Sequence, residues 1–180
     1  DFCLSRGLGD VYKRQVVSTG FAYLDVDAED AFGWCAEAMG RIARKAEQEG
    51  VTLAVEPFTK YTTHICNEAS QLRRLLRTVN NPRLMGLADT DVIATTAVDT
   101  FSTFLDVIGP ENLGHVHFVD GNPGGHLVPG DGVLDLDGAL EKLKAIHYTG
   151  ALGLEVLDRR YVFAPEAAMK QAMDWYKERI

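Results

Sequence analysis

The chain has 180 residues, 46% of them hydrophobic, and this length allows one ordinary domain with a hydrophobic core. The net charge of −8 argues against a nucleic-acid partner, because a duplex binder needs a basic stripe to replace counterions. No apolar run approaches the roughly 20 residues of a membrane span, so no membrane partner is expected. The three cysteines are scattered and form no CxxC pair, which favours a cytoplasmic protein.

The first fifteen residues, DFCLSRGLGDVYKRQ, show neither helical nor strand periodicity and directly precede a strand-like run at Val16. They resemble a translated sequencing adapter. We therefore expect residues 1–15 to be a non-native, adapter-derived segment, with a disordered arm as the alternative. Residues 16–180 are then the domain whose fold the remaining pattern predicts.

From Val16 onward, strand-like and helix-like segments alternate. Apolar runs bounded by turn residues predict five strands, within VVSTG, VTLAVEPF, RLMGLADTD, LGHVHFVD and GALGLEVLD. Helices with apolar stripes follow them, and three are expected to begin at the residues Asp27, Asn67 and Pro165. The apolar stripes are expected to include Trp34 and Ile42 in the first helix and Met169 and Met173 in the last.

Alternating strands and helices predict an α/β fold with a parallel sheet and right-handed crossovers. Two architectures fit this order, a doubly wound open sheet and a (β/α)8 barrel. No GxGxxG motif opens a helix and no GxxxxGK[ST] motif occurs, so the dinucleotide-binding and P-loop interpretations lose their main support.

Four predicted strands end in side chains that can bind a metal ion or transfer a proton. These residues are Glu56, Asp89, His117 and Glu155. The carboxyl ends of parallel strands share one side of a sheet and converge in a barrel, so the four side chains are expected to meet. Alternatively, each residue only marks where burial of its strand stops. Burying three carboxylates together is costly unless a cation neutralises them, which favours a divalent metal ion. Three carboxylates and one imidazole suit Mn²⁺, Mg²⁺ or Co²⁺, and Zn²⁺ is a further candidate.

The segment HVHFVDGNPGGHLVPGDG, residues 115–132, continues a strand into a glycine-containing loop. His115 and His117 lie on the same side of the strand, and His117, nearer the strand end, is the expected ligand. His115 is expected to be an interior group, and Asp120 either to orient His117 or only to begin the turn. The glycines expected to permit the turns are Gly121, Gly124 and Gly125. A phosphate-binding loop is less favoured because no helix N-terminus follows directly.

In this order and spacing, EPFTKY, LADTD, HVHFVDGNPGGHLVPGDG and LGLEVLDRRY resemble motifs of the sugar phosphate isomerase/epimerase family. This is the xylose isomerase-like TIM barrel group, and within it the likeness is greatest to the fructoselysine 3-epimerases. The resemblance covers residues 16–180. It implies that the chain is a C-terminal fragment of a (β/α)8 TIM barrel with about five βα units.

The resemblance implies a metal-dependent isomerase that inverts C3 of a ketose or ketosamine through an enediolate. It implies that the ligands of the metal ion are Glu56, Asp89, His117 and Glu155. Glu56 and Glu155 would also act as acid and base on opposite faces of the substrate. His126 and Tyr61 would contact the sugar or sugar-amine.

The chain departs from the tagatose-type epimerases of this family at three positions. Val92 and Thr62 stand where those enzymes carry a histidine and an acid, and Pro123 or its neighbours replace an expected arginine. These departures weaken the case for a free ketose as the substrate. An endonuclease IV-like phosphodiesterase and an inactive barrel fragment are the alternatives. We expect this fragment alone to be inactive, and homo-oligomerisation of the full-length protein stays open.

Overall fold

The computed structural model describes residues 13–179 and contains one parallel sheet of five strands. The strands are β1 (Arg14–Ser18), β2 (Thr52–Glu56), β3 (Leu84–Asp89), β4 (Leu113–His117) and β5 (Leu152–Gly153). They lie side by side in sequence order, and every neighbouring pair is parallel. A doubly wound sheet reverses its strand order at a switch point, whereas a barrel adds each strand beside the previous one. The predicted fold is confirmed as part of a TIM barrel.

Six helices connect and follow these strands within the described residues. They are α1 (Ala28–Glu49), α2 (Ala69–Val79), α3 (Thr90–Thr96), α4 (Phe101–Ile108), α5 (Leu136–Ala145) and α6 (Pro165–Lys177). The predicted start of α1 is confirmed, since the Asp27 carboxylate accepts hydrogen bonds from the backbone N–H groups of Glu29 and Asp30. Gly50 ends this helix in the left-handed conformation, with φ of 69°.

One predicted helix boundary and one predicted strand boundary need correction. Helix α2 begins after Glu68 and not after Asn67, because the Asn67 side chain donates instead to the carbonyls of Phe58 and Thr63. Strand β1 begins at Arg14, where its pairing with β2 starts, and not at Val16. Of the segment expected to be adapter-derived, residues 1–12 lie outside the described residues.

The predicted apolar stripes of α1 and α6 are too wide. Trp34 and Ile42 are 61% and 42% exposed, and Met169 and Met173 are 42% and 51% exposed. The buried residues of α1 are Ala31, Phe32, Cys35, Met39, Ala43 and Ala46. A helix that rests on a sheet buries only the stripe that faces it, so apolar residues beside that stripe stay exposed.

The core lies between the sheet and a layer of helices in which α1, α2, α4 and α5 contact one another in turn. Its fully buried large side chains include Leu72, Leu75, Phe104, Leu105 and Ile108. Helix α2 approaches β3 closely because Gly86 has no side chain: a Cβ atom there would lie 2.9 Å from Leu72 Cδ2. This packing fixes the strands whose carboxyl ends carry the predicted site. Within residues 13–179, no helix has both the length and the hydrophobicity needed to cross a membrane.

Replacing Leu72 by Ala is expected to lower the free energy of unfolding by about 2–5 kcal/mol, the usual cost of a cavity in a packed core. Leu72 is fully buried, whereas Leu24 is 95% exposed and makes a matched control. Leu24→Ala should change the same quantity by no more than about 0.5 kcal/mol. Denaturant titration followed by circular dichroism measures both, and equal effects would contradict the packing described for α2.

Candidate metal centre

The carboxyl ends of the strands bring four predicted residues together. Glu56, Asp89 and His117 are the last residues of β2, β3 and β4, and the sheet register places Asp89 beside His117. Glu155 does not end its strand as predicted, because β5 stops at Gly153. Its side chain nevertheless reaches the other three. One ligand atom from each of the four residues lies within 4.8 Å of all the others.

The imidazole of His117 lies at the centre of this cluster. Its Nδ1 atom is 3.0 Å from Glu56 Oε1, 3.3 Å from Glu155 Oε2 and 3.5 Å from Asp89 Oδ2. Three of the four side chains are buried, while that of Glu155 is 39% exposed. The cluster is therefore open to solvent on the side of Glu155.

The two carboxylate oxygens of Asp89 have different surroundings. Oδ1 accepts hydrogen bonds from the backbone N–H groups of Asp91 and Val92, each at 2.8 Å, and so caps α3. Oδ2 points into the cluster and is buried; it accepts no hydrogen bond within residues 13–179, although His126 Nε2 and His117 Nδ1 lie 3.3 Å and 3.5 Å from it. A buried carboxylate oxygen that accepts no hydrogen bond is costly. A cation bound here would give this oxygen a partner, so the residues present fit a metal ion.

The acidity of the cluster also favours a bound cation. Burial raises the pKa of Glu56, whereas hydrogen bonds with His117 and His126 lower the pKa of Glu155 to about 2. Burial acts to lower the pKa of His117, but the three surrounding carboxylates outweigh it and raise that pKa to about 11. The imidazolium thus takes the position of a positive charge among the acids. A metal ion would displace its proton, since histidine binds metals as neutral imidazole.

His126 reaches the same cluster from the loop after β4. Its Nε2 atom is 3.3 Å from Asp89 Oδ2 and 3.5 Å from Glu155 Oε2, and its side chain is 17% exposed. Tyr61 lies in the turn after β2 and is 98% exposed. The structure therefore places His126 beside the four clustered residues but does not bring Tyr61 into contact with them. The substrate contacts of both residues stay predictions.

The glycine-containing loop is held by Asp120, whose carboxylate binds backbone and not His117. It accepts hydrogen bonds from four backbone N–H groups, those of Gly121, Gly130, Gly132 and Leu134. Asp120 therefore belongs to the turn after β4 and does not orient His117. His115 is buried as expected, and its ring packs edge-on against His117 at 5.2 Å between centroids. Burial lowers the pKa of His115 to about 4.

The glycines of the loop serve two different purposes. Gly124 and Gly125 adopt φ of 96° and 111°, a region that other residues rarely enter. Gly121 has no such φ, and its lack of a side chain instead allows a close contact. A Cβ atom at Gly121 would lie 1.8 Å from Oδ1 of Asp91. The turns expected at Gly124 and Gly125 are therefore observed, while the reason for Gly121 was different from the one expected.

Asp91 is the residue of the site that the sequence reasoning missed. It is fully buried in the first turn of α3, two residues after Asp89, and its carboxylate lies 3.1 Å from Nδ1 of His126. The only sequence signal was the second aspartate of LADTD. That signal is ambiguous, because acidic residues are also common in the first turn of a helix, where they interact favourably with the helix dipole.

A model of the xylose isomerase-like TIM barrel family matches residues 9–179 of the chain. The chain therefore belongs to this family, and the resemblance stated from its motifs is confirmed.

Individual relatives are epimerases. Fructoselysine 3-epimerase of Escherichia coli O157:H7 is 28% identical over 148 residues, which cover 81% of this chain and 53% of that protein. Ketose 3-epimerase of Arthrobacter globiformis is 30% identical over 118 residues, covering 66% of this chain and 39% of that protein. The crystal structure of 3-keto-D-glucoside 4-epimerase from Escherichia coli has a TM-score of 0.79 at 20% identity, covering 91% of this chain and 63% of that one. This structural similarity shows the shared fold. The chain spans about half the length of the first of these relatives.

Proposed function

We propose that this chain carries the metal-binding and proton-transferring residues of a sugar epimerase that inverts C3 of a ketose or ketosamine of the fructoselysine type. The observation that carries the proposal is the cluster of three carboxylates and one imidazole at the strand ends. The names of the relatives, fructoselysine 3-epimerase and ketose 3-epimerase, support the substrate class.

The residues proposed to hold one divalent metal ion are Glu56, Asp89, His117 and Glu155. This oxygen-rich set suits Mn²⁺, Co²⁺ or Mg²⁺, and Zn²⁺ remains a candidate. When bound, such an ion would polarise the carbonyl group of the substrate and stabilise an enediolate.

Glu56 and Glu155 are proposed to move the C3 proton. Glu56 ends β2 and Glu155 follows β5, with β3 and β4 between those strands, so the two carboxylates approach the cluster from different sides. One glutamate removes the C3 proton from one face, and the other returns a proton to the same carbon from the opposite face. This exchange of faces inverts C3, whereas return of the proton to the neighbouring carbon would give an isomerised sugar.

Two further residues are proposed to contact the substrate. His126, next to Glu155, is proposed to contact a hydroxyl group of the substrate. Tyr61, which is almost fully exposed, is proposed to contact the substrate once the substrate has bound at the metal centre.

We place the protein in the cytoplasm, which is compatible with the free thiols of Cys35 and Cys66. We also propose that the chain by itself is inactive and that the remaining barrel strands complete the pocket.

The test is an epimerisation assay with the protein that carries this chain, after removal of metal by a chelator. Fructoselysine and free ketoses are incubated with the metal-free protein and with protein reloaded with Mn²⁺ or Co²⁺, and C3 epimers are detected by NMR. We expect turnover only after reloading. Equal activity of the metal-free protein, or no C3 epimer from any of these compounds, would contradict the proposal. Cleavage of abasic DNA would instead favour the phosphodiesterase alternative.

A further inference from the structure

We propose that Asp91 is a positioning residue, which holds loop 121–126 against the metal centre and directs Nε2 of His126 towards the substrate. This inference rests on the proposed function, because it assigns a role within the same site. The role is not catalytic in itself, since Asp91 acts through His126 and contacts none of the four proposed ligands with its carboxylate within the described contacts.

Both oxygens of the Asp91 carboxylate bind the loop. Oδ1 accepts a hydrogen bond from the backbone N–H of Gly124 at 2.5 Å, and Oδ2 accepts one from that of His126 at 2.9 Å. Oδ2 also lies 3.1 Å from Nδ1 of the His126 ring. One buried side chain therefore fixes the loop at two backbone positions and fixes the ring that the loop carries.

The loop is shaped to reach this carboxylate. Gly121 passes so close to Asp91 that any side chain would collide with Oδ1. His126 adopts φ of 48°, a left-handed conformation that is uncommon for a residue with a side chain. Such conformations persist where the surroundings hold them, and they concentrate at functional sites. Here the N–H of His126 binds Asp91 and its carbonyl accepts from the N–H of Leu157, so both backbone groups are held.

The contact with Asp91 decides which atom of His126 faces the site. Nδ1 is directed to Asp91, which leaves Nε2 beside Asp89 and Glu155. A carboxylate that binds one ring nitrogen of a histidine fixes both the orientation of the ring and the role of the other nitrogen. Nε2 is then the atom that a substrate hydroxyl next to Glu155 would meet.

Hydrogen bonds to the loop backbone alone do not require a charged side chain at position 91. The Asp91 carboxylate is fully buried two residues from Asp89, and two nearby buried acids repel each other. A neutral asparagine or serine could accept hydrogen bonds from a loop backbone at a lower electrostatic cost. Only a carboxylate, however, accepts from Gly124, from the N–H of His126 and from its ring at once.

The first test compares Asp91→Asn, His126→Gln and the double variant in the metal-loaded protein. Asp91→Asn is expected to lower kcat/KM by about 10–100-fold, the usual effect of losing a group that orients a site residue. The Kd for Mn²⁺, measured by calorimetry, should stay close to that of the parent, since the Asp91 carboxylate binds His126 and Gly124 and all four proposed ligands remain. The double variant should be no worse than His126→Gln alone, because coupled residues are not additive. Effects that add, or full activity of Asp91→Asn, would overturn the proposal.

A second readout does not depend on activity. Amide hydrogen exchange at Gly124 and His126 should become faster in Asp91→Asn, and the ¹⁵N shifts of the His126 ring should lose the pattern of a single fixed tautomer. Unchanged exchange and unchanged shifts would overturn the positioning role. If the parent protein epimerises none of the sugars, the proposed function fails while this readout still decides whether Asp91 holds the loop.

Two further variants complete the design. Asp106→Asn is the control, since Asp106 is an exposed acid that pairs with Lys142 between α4 and α5, and neither readout should change. Gly121→Ala replaces Asp91→Asn should the latter not fold, because the added Cβ atom displaces the same carboxylate without removing its charge. We expect it to produce the same faster exchange at Gly124 and His126, and exchange as slow as in the parent would overturn the proposal.

Discussion

Glu56→Gln and Glu155→Gln are each expected to lower kcat for C3 epimerisation by about 100–10,000-fold, the contribution of a well-placed acid or base. Glutamine keeps the shape of the side chain and one oxygen that can bind a metal ion, but its amide group cannot act as an acid or a base near neutral pH. One carboxylate oxygen of each glutamate lies within 4.8 Å of the other, in the same cluster. A group outside this cluster is too far away to take over the proton transfer of either glutamate. Steady-state assays with the metal-loaded protein measure the loss.

Hydrogen exchange at C3 separates the two glutamates. A variant with one glutamate left can still remove the C3 proton on one face of the substrate and return a deuteron from D₂O to that face. Each single variant should therefore exchange C3 hydrogen in one epimer only, and the two variants should act on opposite epimers. Exchange of both epimers by a single variant would contradict the assignment of one glutamate to each face.

The control for this pair is Glu166→Gln, on the exposed first turn of α6. It removes one carboxylate without touching the cluster, and its kcat should equal that of the parent. The Kd for Mn²⁺ should be measured for all three variants, because weaker metal binding would also lower turnover. Losses that vanish when Mn²⁺ is raised to saturation would assign Glu56 and Glu155 to metal binding alone.

The parallel sheet could be predicted from the sequence because its signals are local. Strands such as TLAVE and MGLAD are short apolar runs between helices with their own caps and stops, so the order of elements follows from neighbouring residues. The convergence of Glu56, Asp89 and His117 could be predicted for a related reason. In a parallel sheet, the position of a residue at the end of its strand also gives its position in space.

Helix α3 could not be predicted because its sequence opposes it. TDVIATT is rich in β-branched residues, which have low helix propensity. The helix forms because the Asp89 side chain caps its first turn and because Val92 and Ile93 are buried, at 6% and 4% exposure. Both causes depend on tertiary structure, which overrides local propensity.

The contact of Asp91 with loop 121–126 could not be predicted from the sequence either, but for a different reason. It joins residues 33 and 35 positions apart, and the loop between its anchors has no periodicity that would fix its path. The position of Glu155 shows the same limit. Strand β5 has only two residues, and Glu155 reaches the cluster from the irregular segment beyond it.

Asp89→Asn is expected to weaken Mn²⁺ binding by at least about 100-fold, since even residues that only orient a ligand contribute 10–100-fold to affinity. The substitution is selective because the two oxygens of Asp89 do different work. Asparagine can keep Oδ1, which caps α3 through the N–H groups of Asp91 and Val92. It replaces Oδ2, the buried oxygen without a hydrogen-bond partner, by an amide NH₂ group that cannot bind a cation.

Thermal unfolding with and without Mn²⁺ tests this separation of roles. At a Mn²⁺ concentration 100 times the Kd of the parent, binding stabilises the parent by about 2.7 kcal/mol. A variant that binds 100-fold more weakly gains only about 0.4 kcal/mol under the same conditions. The metal-free proteins should unfold within about 1 kcal/mol of each other, since asparagine caps helices about as well as aspartate.

Asp99→Asn is the matched control for this experiment. Asp99 also accepts a hydrogen bond from the backbone N–H at the start of a helix, that of Ala69 in α2, but it is not one of the clustered residues. Its substitution should leave the stabilisation by Mn²⁺ unchanged. An Asp89→Asn protein that binds Mn²⁺ with the Kd of the parent would remove Asp89 from the metal centre. The imidazoles of His117 and His126 would then be the only cationic groups described beside the buried Oδ2 atom, and the cluster would lose the observation that most directly calls for a metal ion.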